Sequence, residues 1–362
     1  VSLVPSVRDI LGRAAAASLT PETEARVREA LERHAAGHTP WYIRLLVGLG
    51  AWLGSWFLLA FAFMFLALIL EGEVDRAAIA MGVCLVGFGV WLRHVASGEL
   101  LRQLSLVASF TGQMLVVGGV GASSESLSAA ATTALVLSIL LLVAFPERVH
   151  RFVSTIVATV ALDVLLWEGR VPYANDLLTI ALAAVPLVAW RLADAETRER
   201  FGEALDPIAY GAVVSLLGGL AIDAVMSALG VHSREWSGPG LPALVAVAAA
   251  LGGLAVAVCA GHGVPPPAVT PLAAVAIVMA FAWVTRSTPA LAVTLLIIVV
   301  GFDRRRPLLI GLATIFFLGF GALYYYNLQM TLLEKSGVLI GSGVLCLATS
   351  ALLRWRGVSE AA

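Results

Sequence analysis

Charge is what this sequence lacks most. Only 13% of its 362 residues are Asp, Glu, Lys or Arg, while 60% are hydrophobic and the mean hydropathy is +0.93. Soluble domains carry about 25% charged residues, so soluble enzymes, disordered regulators and basic nucleic-acid binders are excluded together. The net charge of −1 leaves no global field to attract nucleic acid or an acidic substrate. Cysteine is scarce as well. Cys84, Cys259 and Cys346 lie far apart in apolar stretches without metal-ligand spacing, and read as small hydrophobes. Lysine is nearly absent: Lys335 stands alone beside 22 arginines, which together with abundant Ala, Gly and Leu suggests GC-rich bacterial coding. No HExxH, P-loop or GxSxG occurs, and the Gly48–Gly54 stretch has the wrong spacing for a dinucleotide loop. The six histidines fall in the loops and the N-terminal arm and do not pair at ligand spacing along a helix. The expectation is a non-enzyme with no metal and no cofactor.

What is present is apolar sequence in long runs. Residues 1–40 stand apart, with five Arg, four Glu and one Asp but no apolar stretch that would serve as a cleavable signal peptide. Thr20-Pro21-Glu22 reads as a helix start, and Glu22/Arg26, Glu24/Arg28 and Glu29/Arg33 are paired at i,i+4. This segment is expected to be a short amphipathic helical arm on the cytoplasmic side. Beyond it, a span needs about 20 apolar residues, fewer where flanking groups snorkel. Twelve candidate spans follow, at 45–70, 77–92, 104–121, 129–145, 152–168, 177–190, 207–229, 241–260, 269–284, 289–302, 307–325 and 332–353. A single helix over 269–302 would carry Arg286 and Pro289 in its middle, so two short spans or a re-entrant pair are read there.

Arginine placement orients the chain. With the N-terminus inside, 18 of the 23 basic residues fall on the cytoplasmic side, leaving Arg76, Arg170, Arg234, Arg286 and Lys335 outside. Both termini are therefore expected in the cytoplasm, with residues 41–356 forming the membrane bundle and 357–362 a cytoplasmic tail. Trp41, Trp91, Trp190 and Trp355 fall at inner span ends and Trp167, Trp236 and Trp283 at outer ones, as an interfacial aromatic belt would.

Ionisable groups inside spans are functional hypotheses by default, since each costs roughly 2.5–3.5 kcal/mol at a helix centre on insertion scales. Few occur. Asp163 lies in the fifth span and Asp223 in the seventh, both near the outer end; Gln113 lies mid-way in the third; Glu334 and Lys335 open the twelfth. One reading is an outward polar pocket in which the two aspartates face Lys335, Arg170 or Arg234. The plainer one places each aspartate roughly 6–9 Å below the surface, where it reaches headgroups or loop donors.

The segment 301–336 carries a distinctive run. Gly301-Phe302 and Arg306-Pro307-Leu308-Leu309 lead into Tyr325-Tyr326-Asn327-Leu328-Gln329-Met330-Thr331-Leu332-Leu333-Glu334-Lys335-Ser336. This run resembles the bacterial membrane family known as domain of unknown function 4401, over roughly residues 40–355. The resemblance implies a multi-pass inner-membrane protein without an assigned activity, often encoded beside another membrane protein with a Gly-Asp-Tyr-containing motif. It brings no catalytic residues. Tyr325 and Tyr326 belong at the outer interface, where they would act as an anchor or, with Lys335, as part of a site. The expectation is thus an all-α polytopic bundle of about twelve spans. Its leading function is assembly or binding in the inner membrane with a second envelope protein, its partners being that protein and the bilayer rather than nucleic acid. The competing class is a transporter or lipid-handling protein that uses the outer polar groups.

Overall fold

Apolar backbone that enters a bilayer must satisfy its amides internally, and a helix does this within one segment. A computed structural model of the chain describes residues 74–95, 99–192, 195–229, 239–261, 269–286 and 288–327, with scattered positions between 50 and 65 and residue 340. The arm 1–40, most of the first and twelfth expected spans and the tail lie outside the described residues. Among the described residues no strand occurs. Ten α-helices do: α1 (Val74–Val95), α2 (Glu99–Ser124), α3 (Leu127–Ala144), α4 (Arg148–Glu168), α5 (Ala174–Leu187), α6 (Ala195–Ala228), α7 (Leu241–Gly261), α8 (Val269–Val284), α9 (Ala290–Asp303) and α10 (Pro307–Asn327). Each covers one of the expected apolar runs. Among the described residues seven helices are long and apolar enough to cross a membrane, while α7, α8 and α9 carry shorter apolar stretches. Large side chains such as Val143, Leu318, Ile315 and Phe302 stand exposed on the outside, the surface a lipid-facing bundle needs and a soluble one avoids.

The chain divides into two compact units, Val1–Gly119 and Val120–Ala362. In the first, α1 and α2 run antiparallel at close range. Gly82 and Gly89 on α1 meet Gly112 and Ser105 on α2, and Gly119 meets the carbonyl of Asp75. Every seven residues forward on α1 is matched by seven back on α2. A Cβ on Gly82 would lie 2.7 Å from the Gly112 carbonyl oxygen, so only glycine admits this approach.

The second unit is built around α9. Leu291, Val293, Leu296, Ile297 and Val300 are all buried, and Val213 and Leu217 of α6 and Val247 and Leu251 of α7 close over them. At 14 residues, about 21 Å, α9 is shorter than a bilayer core of about 30 Å. It is a separate helix from α8: Thr285 and Arg286 form a turn and Pro289 opens α9.

Short turns reverse the chain. Ser126 caps α3 through its side-chain oxygen, which accepts from the Ala129 amide at 3.2 Å. After α4, Arg170 takes a left-handed conformation (φ 49°), with the Val171 amide returning to the Leu166 carbonyl. After α9, Arg305 does the same (φ 52°), with the Arg306 amide returning to the Gly301 carbonyl. Buried Asp176, on α5, reaches across to α7 and accepts from the Gly240 and Ala243 amides at 2.8 and 3.0 Å, capping a neighbouring helix.

Candidate functional site

Helices α4 and α6 run parallel, with α5 antiparallel to both. Arg148 at the start of α4 pairs with Glu203 near the start of α6 at 3.5 Å. The far ends of α4 and α6 and the start of α5 therefore share one end of the unit. There they enclose a cavity of about 460 Å³, and Asp163 of α4 and Asp223 of α6 both line it. Asn175, Thr179, Thr159 and Ser215 add polar atoms, and the remaining wall is mostly Val, Leu and Ile. Two wall residues, Val160 and Ile222, are more than half exposed, so the cavity reaches the outer flank of the unit.

The polar groups of the wall differ in how they are engaged. Asp223 and Asn175 interact with neighbours. Among the described residues Asp163 has no hydrogen bond and no ion pair. The Ser215 hydroxyl is buried and makes no hydrogen bond, although a serine on a helix can usually reach the carbonyl one turn back. No arginine or lysine lines the space. Such a cavity offers two carboxylates within a largely apolar wall, which suits a cation with an apolar body. Among the described residues no group of three or more His, Cys, Asp or Glu converges as a metal site would.

The other expected site residues lie elsewhere. Gln113 is buried on α2, in the first unit, one turn beyond Ser109 and two beyond Ser105, which are buried as well. Tyr325 and Tyr326 sit on the last turn of α10, their rings 5.7 Å apart, with Tyr326 exposed; neither lines the cavity. Glu334, Lys335 and Arg234 lie outside the described residues. Arg170 is exposed and is not part of the cavity wall.

The opposite end holds a cluster that the sequence reading treats only as topological arginines. Proline inside α5, Pro186, is followed by a π-helical turn, Val188–Leu192, which turns Trp190 inward. Trp190 is 2% exposed rather than part of an interfacial belt. Its indole N–H donates to Asp206 at 2.8 Å, and the same carboxylate oxygen accepts from Arg306 at 2.8 Å. The Arg306 guanidinium lies 4.4 Å over the Trp190 ring and donates to the Tyr210 hydroxyl at 3.4 Å. Burial alone would lower the Arg306 pKa, but the hydrogen bonds to Tyr210 and Asp206 and the charge of Asp206 outweigh it and hold the group above its ordinary value. Next to it, Asp303 lies between Arg304 at 3.0 Å and Arg191 at 3.6 Å. The Asp206/Tyr210 spacing of four residues on α6 was the available sequence signal. His150 also differs from its expected loop position: it is fully buried in the first turn of α4, stacked on Phe145 and 3.0 Å from Ser154 Oγ.

An all-helical bundle with an apolar exterior, membrane-length helices and charge gathered at helix ends defines a multi-pass membrane protein. The chain belongs to the family described as domain of unknown function (DUF4401), whose model matches residues 40–356. No curated protein and no solved structure matches it.

Proposed function

We propose that this protein is a ligand-binding protein of the bacterial inner membrane, of the transporter or lipid-handling class, that takes a small amphipathic cation into the cavity between α4, α5 and α6. One observation carries the reading: Asp163 and Asp223, sixty residues apart in sequence, line the same largely apolar cavity. Its volume of about 460 Å³ lies within the range of roughly 300–1,000 Å³ usual for small-molecule sites. A carboxylate in an apolar wall with no partner among the described residues is costly unless a cation completes it. The chemistry is binding rather than catalysis.

The arrangement carries about twelve spans with both termini cytoplasmic. Support comes from the gathering of Arg148, Arg191, Arg304 and Arg306 at the end opposite the cavity, which by the positive-inside rule is the cytoplasmic one. The cavity then faces the periplasmic half. A C-terminal reporter fusion should be active only when the reporter works in the cytoplasm; a periplasmic signal would overturn the orientation.

The binding test uses the full chain in lipid nanodiscs with 2-phenylethylammonium as probe, against 2-phenylethanol and phenylacetate. The cation should bind saturably, and the neutral and anionic analogues at least tenfold more weakly. Asp163→Asn should weaken the cation by about tenfold or more. Gly218→Leu should fill the space without unfolding the helix, because a Cβ at Gly218 meets nothing within 4 Å. Equal binding of all three probes, or unchanged binding in both variants, would refute the reading. If a second envelope protein co-purified with wild type and was lost in Asp163→Asn, assembly would replace transport as the function of these residues.

A further inference from the structure

The arginine-rich end of the second unit has a pocket of its own, about 250 Å³, lined by Trp190, Asp303, Arg304, Arg305 and Arg306. We propose that it binds a phosphate group presented as the headgroup of an anionic phospholipid.

Charge comes first. Four arginines, Arg191, Arg304, Arg305 and Arg306, converge here on two acids, Asp206 and Asp303. Both acids are already engaged. Asp206 takes up Arg306 and the Trp190 indole on one oxygen, and Asp303 is shared between Arg191 and Arg304. Arg305 has no ion pair among the described residues and stands exposed at the pocket. Arg191 Nε is buried and makes no hydrogen bond of good geometry to the carboxylate it approaches at 3.6 Å. Among the described residues the four arginines thus outnumber the two acids by two. A tetrahedral phosphate matches guanidinium forks from several sides and accepts more hydrogen bonds than a carboxylate.

The setting selects the source. The pocket sits in the α9–α10 turn, and the residues flanking that turn, Phe302 and Leu308, are 78% and 72% exposed. An anion that brings acyl chains covers these side chains while its headgroup enters the pocket; a free phosphate leaves them bare. Basic pockets between helix ends on the cytoplasmic side are the usual places for such headgroups.

The experiment uses native mass spectrometry of the full chain released from phosphatidylcholine nanodiscs doped with phosphatidylglycerol, with and without inorganic phosphate. A saturable adduct of one phosphatidylglycerol is expected on wild type. Arg305→Gln should weaken it about fivefold, the scale of one arginine near an anionic surface. Arg305 makes no ion pair with the described residues, and glutamine meets the left-handed backbone there (φ 52°) on the same terms as arginine, so the fold is retained. Arg148→Gln is the control, an exposed arginine at the same end but outside the pocket, and should leave the adduct unchanged. Displacement of the lipid by inorganic phosphate at matched concentration keeps the phosphate site but makes free phosphate the ligand source. No saturable adduct, or equal weakening in Arg148→Gln and Arg305→Gln, would overturn the site in favour of general surface charge.

Discussion

Gly82→Ala should destabilise the protein, although the same change in an open helix interior ordinarily stabilises it. By intrinsic propensity alone, alanine is favoured over glycine by about 1 kcal/mol. On α1, however, a Cβ at Gly82 would lie 2.6 Å from Val116 Cγ2, 2.7 Å from the Gly112 carbonyl oxygen and 2.8 Å from the Val116 nitrogen. Two of these are backbone atoms that no rotamer change can move. Ordinary contact begins at 3.4 Å, so α2 must retreat by roughly 0.6–0.7 Å. The retreat opens the same seam at Gly89 and Gly119, where a Cβ would meet its nearest atoms at 2.9 and 2.8 Å. Overpacking of this kind costs about 1–3 kcal/mol, and after the propensity gain a net loss of up to about 2 kcal/mol remains. Gly87 supplies the control on the same helix, since a Cβ there meets nothing within 4 Å. Gly87→Ala should be neutral or more stable by up to about 1 kcal/mol. Unfolding of both full-length variants by denaturing detergent in mixed micelles measures the contrast. Equal stability of Gly82→Ala and Gly87→Ala would refute the glycine seam.

Asp206→Ala should cost about 2–3 kcal/mol in the same unfolding assay. The buried Trp190 N–H loses its acceptor, worth about 1–3 kcal/mol, and the half-exposed ion pair with Arg306 adds no more than about 1. Asp206→Asn keeps an acceptor and should lose about 1 kcal/mol; equal losses for both variants would deny the role of the indole bond. Asp176→Ala leaves two backbone amides at the start of α7 without their acceptor and should cost about 2–4 kcal/mol. A loss below about 0.5 kcal/mol would mean that Asp176 does not hold α7 to α5.

Helix positions were legible because apolar runs of bilayer length are punctuated by arginine, proline and glycine, and the break near Thr285–Pro289 is one such mark. Helix α6 shows where that signal stops. It begins at Ala195, twelve residues before the apolar run at 207, because its first turns are a charged Glu-Thr-Arg-Glu-Arg stretch that helix propensity and not hydrophobicity extends. Depth alone places Trp190 in an aromatic belt, yet within the π-turn after Pro186 it is buried, and depth says nothing about rotation. The same holds for the aspartates. The depth of Asp163 and Asp223 follows from their distance to the helix ends, but their meeting in one cavity depends on how α4, α5 and α6 turn about their axes. The seven-residue spacing of Ser105, Gly112 and Gly119 was readable in principle, but 34 glycines hide one such row among many.

The treatment of the other aspartates in the second unit separates a structural carboxylate from a functional one. Asp176 is buried and receives two amides. Asp206 receives a guanidinium and an indole. Asp303 lies between two guanidinium groups. At Asp176 and Asp206, where a carboxylate holds helices together, neighbouring elements supply hydrogen-bond donors, as the desolvation of a charged oxygen requires. Asp163 departs from that pattern: it projects into an apolar wall, and no described residue donates to it. Among the described residues nothing offsets its cost, whereas a cation entering the cavity would complete it. Asp163→Leu therefore distinguishes the roles by sign, because replacing an uncompensated carboxylate with an apolar side chain should leave the empty protein equally or more stable while removing cation binding.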